Sequence, residues 1–239
     1  MNETVERFVR TQYTDRKSWL KGRSEGIGAS DAAAVLQISP WCSKIRLWEE
    51  KVGIRAVEDI SGKPGVQRGI DEEPIIRQRF IEDHPEFEVS YTPYEILSLK
   101  RKPFIKASLD GEILVVKENH YGLPVGAKGV LQVKTGSYSS QKYLDKWQGD
   151  TLPEFYFSQE CQELLVTGWD FAWVQAKLFR IDRTYAKGGS NFFLPDQWET
   201  YFLITANEPA VVESMQTIEE ADTDFWNDVL TRHCPDVAV

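Results

Sequence analysis

A short apolar strand that turns polar along one side constrains this chain more than any other feature. Leu131-Gln132-Val133-Lys134 places Gln132 and Lys134 on one face and Leu131 and Val133 on the other, because strand side chains alternate. It follows Ser108-Leu109-Asp110-Gly111, an acidic residue in a turn signal that closes an earlier stretch of strand-like sequence. Two placements suit such a strand. It can lie at the centre of a sheet with a site on one face, or on an edge with Gln132 and Lys134 in solvent and Asp110-Gly111 as an ordinary hairpin turn.

The flanking segments set the order of elements. Thr11–Gly22 reads as a short helix running into a glycine turn. Gly26-Ile27-Gly28-Ala29-Ser30-Asp31 reads as a loop feeding a helix at Ala32–Leu36, with Ser30 or Asp31 as its N-cap. Ser39-Pro40-Trp41 stops that helix, and Lys44–Val52 forms the next. After a connection over Ile54–Pro64, Gly69–Glu82 carries Ile70, Ile76 and Phe80 on an amphipathic helix. Beyond Pro85 the pattern becomes strands: Phe87–Tyr91, Glu95–Leu99, Phe104–Ser108, Glu112–Val116 and Val130–Lys134. Helix returns at Phe155–Thr167, a strand alternates over Phe171–Ile181, and Pro195–Leu230 reads as an acidic helical tail. The expected fold is α/β (α+β), one domain over residues 1–239, with a central antiparallel run of strands flanked by helices.

Composition narrows the class. The chain has 239 residues, 41% hydrophobic and 12% aromatic, which suits a globular protein and not a disordered one. A net charge of −9 counts against a coat that grips nucleic acid through a broad basic face. It counts less against an enzyme whose cations line only a channel while carboxylates collect a metal. Cys42, Cys161 and Cys234 are far apart and form no metal spacing or disulfide framework, which points to a reducing compartment. Met1–Arg10 has no apolar run for a signal peptide, and no segment is apolar enough to span a membrane, so a soluble, cytoplasmic protein is expected. His84, His120 and His233 are scattered and offer little to a histidine-based mechanism.

Phosphodiester hydrolysis with Mg²⁺ needs oxygen ligands around a hard octahedral ion and a group that orients or activates water. Asp110, at a strand end, could bridge ions. Gln132 could ligate through its amide oxygen and Val133 through its backbone carbonyl. Lys134 could hold the attacking water or stabilise charge on the phosphate. Glu73 could serve as an outer carboxylate, although Asp71, Glu72 and Glu73 also lie at a helix start where the dipole favours acids. Arg23 with Gly26–Asp31 combines a guanidinium, a hydroxyl and a helix N-terminus, which suits a phosphate; a glycine turn before a capped helix would need the same residues. Lys100-Arg101-Lys102 could track a DNA backbone or lie in a solvated turn. Trp41 and Tyr156 could pack the core or stack on a base. The acidic residues Glu213, Glu219, Glu220, Asp222, Asp224 and Asp228 read most simply as a solvated helix face.

Taken in order, these motifs resemble the YqaJ-type viral recombinase family. They are Arg23 with Gly26-Ile27-Gly28-Ala29-Ser30-Asp31 and Ser39-Pro40-Trp41, then Gly69-x-x-x-Glu73, Ser108-Leu109-Asp110-Gly111 and Gln132-Val133-Lys134. Pro153-x-x-Tyr156-x-x-Gln159-x-x-Gln162 with Thr167-Gly168 completes the series. The family's best-known relative is lambda exonuclease, within the PD-(D/E)xK nuclease superfamily. The resemblance, which runs from Trp19 to Leu178, implies a PD-(D/E)xK domain with a central mixed sheet. It implies a processive exonuclease that degrades the 5′-ended strand of linear double-stranded DNA with two Mg²⁺ ions, for which Mn²⁺ could substitute. The 3′ overhang would pass to a single-strand annealing protein, in the cytoplasm of a bacterial host of a phage or prophage, and a homotrimeric ring around DNA is expected. By motif match Glu73, Asp110 and Gln132 fall on metal-site positions and Lys134 on the catalytic lysine. Gln159 falls on a helix glutamine beside the active site, and Arg23, Ser30 and Ser108 on residues that grip the 5′-phosphate.

One position departs from the pattern. Gln132 stands where the family usually has Glu, and an amide removes a negative charge from the metal shell. Three readings follow: a catalyst that tolerates Gln132, a catalytic scaffold inactivated by substitution there, and a protein that binds DNA ends without cutting them.

Overall fold

The computed structural model describes residues 6–147, 152–181 and 195–236; the stretch read for a signal peptide lies partly outside these, in residues 1–5. Strands β1 (Phe8–Gln12), β2 (Ile27–Gly28), β4 (Glu95–Leu99) and β5 (Ile105–Ala107) form a four-stranded sheet in the order β1-β4-β5-β2. Strands β3 (Phe87–Ser90), β6 (Gly111–Val115), β7 (Lys128–Tyr138), β8 (Phe171–Arg180) and β9 (Gln197–Thr205) form a five-stranded sheet in that order. All pairings in the second sheet are antiparallel except β7 with β8. The antiparallel run read from the strand pattern is therefore a mixed sheet, as the family resemblance implied. A parallel pair needs a crossover, and helix α6 (Glu154–Thr167) lies between β7 and β8 in the chain.

β7 is the middle strand, which rules out the solvent-edge placement of Gln132 and Lys134. Val130 joins Ala172, Val174, Ala176 and Leu178 of β8 in the core that holds Cys161, Leu164 and Leu165 of α6. Gln132 and Lys134 share that face by alternation. The opposite face places Leu131, Phe171 and Trp173 against Phe80 of α4 (Pro64–Asp83). Close approach between β7 and β8 depends on Gly129, where a Cβ would lie 2.3 Å from the Phe171 ring. Gly129→Ala should cost about 1–3 kcal/mol through overpacking. A urea midpoint equal to that of the wild type would show that the ring has room to move.

Several elements differ from the sequence reading. The first helix, α1 (Arg16–Ser24), begins after Thr11 and Gln12, which pair with Ile96 and Glu95 in β1. Asp15 starts it by accepting a hydrogen bond from Ser18 N at 2.8 Å. α2 (Ala32–Val35) is a single turn, and Asp31 before it makes no side-chain cap. α3 (Lys44–Lys51) is capped by Ser43, and α4 begins at Pro64, a residue suited to a first helical turn. A further turn, α5 (Gln141–Leu144), follows β7.

Two corrections matter more. Asp110-Gly111 is not a hairpin turn, because β5 and β6 belong to different sheets and the chain crosses between them at Asp110. The tail is not helical throughout: β9 precedes α7 (Pro209–Thr231). The segment Trp198 to Thr205 is rich in aromatic and β-branched residues, with Phe202 and Ile204 buried, and that pattern fits an edge of the sheet better than a helix. α7 is also less solvated than its acids suggest. Asp222 is fully buried, and Glu219 accepts from Arg101 and lies 3.1 Å from Lys102 Nζ. The basic cluster at residues 100–102 is thus tied in part to α7. No helix of the described residues is long and apolar enough to cross a membrane.

Candidate active site

A cleft of about 290 Å³ is lined by residues of both sheets. On one wall Arg23 donates from Nη2 to Ser30 Oγ at 2.6 Å, with its guanidinium 4.7 Å from the Trp19 ring centre. Trp19 and Arg23 are one helical turn apart on α1, so they meet by spacing alone. Trp19 Nε1 also donates to Ser108 Oγ at 3.3 Å, and Ser108 Oγ donates to Glu95 O at 2.9 Å. Trp19 thereby links Arg23 and Ser108, a role the sequence reading missed although the spacing from Arg23 signals it. Behind this wall Asp31 accepts from Gly28 N at 3.1 Å and from Lys51 Nζ at 2.9 Å. Burial would raise the Asp31 carboxyl, but Lys51 and Arg23 outweigh it and hold it below its ordinary value. Asp31 therefore braces the glycine loop and not the helix it precedes. The Arg23 guanidinium with the Ser30 hydroxyl against it, and the Ser108 hydroxyl on the other side of Trp19, are donors of the kind that suit an anion.

The other wall is built on the end of the β6–β7 ladder. Their pairing stops at Gly111 with Leu131, so Val133 N–H has no β6 partner and donates to Asp110 Oδ2 at 2.8 Å. The same oxygen accepts from Gln132 Nε2. Gln132 Oε1 accepts from Gln159 Nε2 at 3.1 Å, and Gln159 Oε1 accepts from Lys134 Nζ at 2.7 Å. Lysine can only donate, so Gln159 turns its oxygen to Lys134 and its nitrogen to Gln132 Oε1, which leaves the Gln132 nitrogen facing Asp110. Gln159 Nε2 has a second acceptor, Glu163 Oε1, at 3.0 Å.

Charge in this wall is strongly perturbed. Burial pushes the Asp110 carboxyl up to about 7, Glu73 adds to the rise, and Lys134 opposes it. Burial also pushes Glu160 up to about 8 against the pull of Lys134, and raises Glu163 well above its ordinary value with Glu160 adding to the effect. Lys134 Nζ lies 3.9 Å from Glu160 and 5.0 Å from the Tyr156 ring centre. Glu73 is paired with Arg77 at 2.9 Å, and the same guanidinium nitrogen donates to the Asp110 carbonyl at 2.7 Å.

Arg23, Ser30, Ser108, Glu73, Asp110, Gln132 and Gln159 all line this one cleft. Lys134 is outside the lining and reaches it through Gln159, while Val133 meets Asp110 through its backbone N–H. Trp41, for which core packing was one reading, is 63% exposed, with its ring 4.8 Å from that of Phe155.

Residues 18–170 match the family described as YqaJ-like viral recombinase domain. The chain belongs to that family. A protein of Bacillus subtilis (strain 168), "Uncharacterized protein YqaJ", is 25% identical over 228 residues, which is 95% of this chain and 60% of that protein. The chain thus spans 60% of the length of this curated relative. Among solved structures, an alkaline exonuclease from Laribacter hongkongensis, LHK-Exo, superposes with a TM-score of 0.59 at 18% identity, over 90% of this chain and 93% of that one. LHK-Exo in complex with dAMP gives a TM-score of 0.58 at 17% identity over the same shares. These likenesses show that this YqaJ-family chain shares the fold of LHK-Exo.

Among the described residues, no three His, Cys, Asp or Glu side chains stand together as a finished metal cage. Mg²⁺ does not require one, since it is commonly held by one or two carboxylates with waters and substrate phosphates completing the octahedron. The donors in the cleft fit that chemistry. Asp110 is a carboxylate kept partly protonated by burial and a neighbouring acid, conditions that a cation would relieve. Glu163, which also lines the cleft, has an Oε2 with no hydrogen-bond partner among the described residues. The sequence reading did not single out Glu163. Its position four residues after Gln159, on the same helical face, is the signal that could have found it.

Proposed function

We propose that this chain is a Mg²⁺-dependent exonuclease acting on linear double-stranded DNA. It removes nucleotides from the 5′-ended strand and leaves a 3′ overhang for a single-strand annealing protein. One observation carries the proposal: the anion-suited donors Arg23, Ser30 and Ser108 share a single cleft with Asp110, Gln132 and Gln159. Membership of the YqaJ-like family supports it. So does the dAMP bound by LHK-Exo, a protein of the same fold, because hydrolysis of a terminal nucleotide would release such a monophosphate.

Arg23, Ser30 and Ser108 would anchor the terminal 5′-phosphate, Arg23 by charge and the serines by turning their hydroxyls into the cleft. Mg²⁺, when bound, supplies charge neutralisation at the scissile phosphate and a more acidic water. Asp110, Glu73, the Gln132 amide oxygen and the Val133 carbonyl are the groups that would hold one or two such ions, or Mn²⁺ in their place. Lys134, held by Gln159, would hold the attacking water or stabilise the charge that develops on the phosphate. The proposal extends to a homotrimeric ring around the duplex.

Linear duplex carrying a 5′-phosphate should be digested faster than the same duplex with a 5′-hydroxyl. Arg23→Ala should erase a difference on the order of ten- to a hundredfold, the worth of hydrogen bonds to a charged group. Equal rates on both ends with the wild-type chain would overturn the pocket assignment. A second reading, end binding without cleavage, is favoured by the Gln132 amide donating to Asp110 where a carboxylate would repel it. Tight binding of 5′-phosphorylated ends with no digestion, by either the wild type or Gln132→Glu, would support that reading.

A further inference from the structure

The carboxylate absent at position 132 has a neighbour that could replace it. Gln159 Nε2 donates at once to Gln132 Oε1 at 3.1 Å and to Glu163 Oε1 at 3.0 Å, so both side chains stand within reach of one nitrogen. Glu163 is fully buried yet lines the cleft, and its Oε2 has no hydrogen-bond partner among the described residues. Burying a carboxylate with an open oxygen is unfavourable unless a cation or donor meets it. The nearby cations are already engaged: Lys134 Nζ is bonded to Gln159, and Arg77 is paired with Glu73. Glu73 already has Arg77 as its partner, which leaves Asp110 as the one carboxylate of the predicted metal positions without a side-chain cation in contact. A divalent ion at Asp110 would therefore be short of negative charge.

We infer that Glu163 supplies to the ion at Asp110 the carboxylate that Gln132 lacks, moving the ligand from strand β7 to helix α6. Gln159 positions the side chain, since its Nε2 holds Glu163 Oε1 and leaves Oε2 open. Glu160 also has carboxylate oxygens without a hydrogen-bond partner among the described residues, but it is the poorer candidate: it is absent from the cleft lining and lies 3.9 Å from Lys134 Nζ. The inference rests on the metal-dependent reading of the cleft given above.

Mn²⁺ binding separates the two. Free Mn²⁺ is followed by electron paramagnetic resonance in titrations of the protein, with and without a 5′-phosphorylated, phosphorothioate-protected duplex. The wild type, Asp110→Asn, Glu163→Gln and the double variant Gln132→Glu/Glu163→Gln are compared, with far-UV circular dichroism as the check on folding. Asp110→Asn should lose the site. Glu163→Gln should weaken it on the order of ten- to a hundredfold, at least what loss of a supporting group costs. The double variant should recover it, because the carboxylate returns to β7. Unchanged affinity in Glu163→Gln beside loss in Asp110→Asn would overturn the role of Glu163 and leave the metal-dependent reading standing. No Asp110-dependent Mn²⁺ binding by the wild type under either condition would remove the metal-dependent reading, and Glu163 with it. If Glu163→Gln does not fold, Glu163→Asp decides: it keeps the charge and draws it back from the cleft, so weakened Mn²⁺ binding by the folded variant supports the inference and unchanged affinity refutes it.

Discussion

Asp110→Asn should bring Mg²⁺-dependent digestion of linear duplex down by on the order of a thousandfold while leaving the metal-free protein folded. The fold should survive because Val133 N and Gln132 Nε2 both donate to the same oxygen, Oδ2. An asparagine that puts its carbonyl oxygen there keeps both bonds. Burial and Glu73 raise the Asp110 carboxyl from 3.8 to about 7, so the folded chain holds this proton more tightly than the unfolded chain does. Below the unfolded value both states are protonated and the group contributes nothing. As pH rises from 3.8 to about 7 the unfolded chain ionises first and stability falls; above that the full penalty remains. Asparagine escapes the penalty. The variant should therefore unfold at a higher temperature than the wild type at pH 8 without metal, with the gap closing toward pH 4. Mg²⁺ should raise the wild-type midpoint and leave the variant unmoved. A variant that loses ground to the wild type on going from pH 4 to pH 8 would contradict the assigned environment of Asp110.

Trp173→Ala should be among the most destabilising single changes in the chain, at about 3–5 kcal/mol for a buried aromatic truncated to a methyl. Trp173 is fully buried on β8. Its ring centre lies 5.4 Å from Phe80, 5.1 Å from His84, 4.8 Å from Tyr121 and 4.6 Å from Tyr201, the last in a stacked pair. This cluster fixes α4 to the sheet, and α4 carries Glu73 and Arg77, so the loss should extend to the cleft. Denaturant unfolding reads the change directly. A cost below about 1 kcal/mol would mean that the neighbouring rings collapse into the space left behind.

Much of the cleft was legible because its parts are local. The alternation of Gln132 with Lys134 and the helix under Gln159 each depend on a few adjacent residues, and each lies where its spacing placed it; Gly26–Asp31, read as a loop, is instead strand β2 and a 3₁₀ turn, because β5 pairs with Ile27 and Gly28. Features decided by distant packing were not legible. Nothing local distinguishes Ser108–Gly111 as a crossing between sheets from the same residues as a hairpin, because the choice depends on what β5 and β6 find to pair with. Glu163 looks like a solvated helix residue until α6 is seen buried in the core. β9 was hidden by Asp196 and Glu199, whose charges read as part of the acidic tail, although the aromatic residues between Trp198 and Phe202 carry the strand. Lys100-Arg101-Lys102 looked available to DNA only because Glu219, distant in sequence, was not yet beside it.

The crossing at Asp110 bears on how far an enzyme of this kind can advance at a time. Ser108 leaves one sheet and Asp110 enters the other with a single residue between them, so their Cα atoms can be no more than about 7 Å apart. In the proposed reading Ser108 holds the terminal phosphate and Asp110 stands at the bond to be cut. A tether of that length is on the scale of one nucleotide step along a strand. The backbone between them would then act as a ruler that favours a product of a single nucleotide.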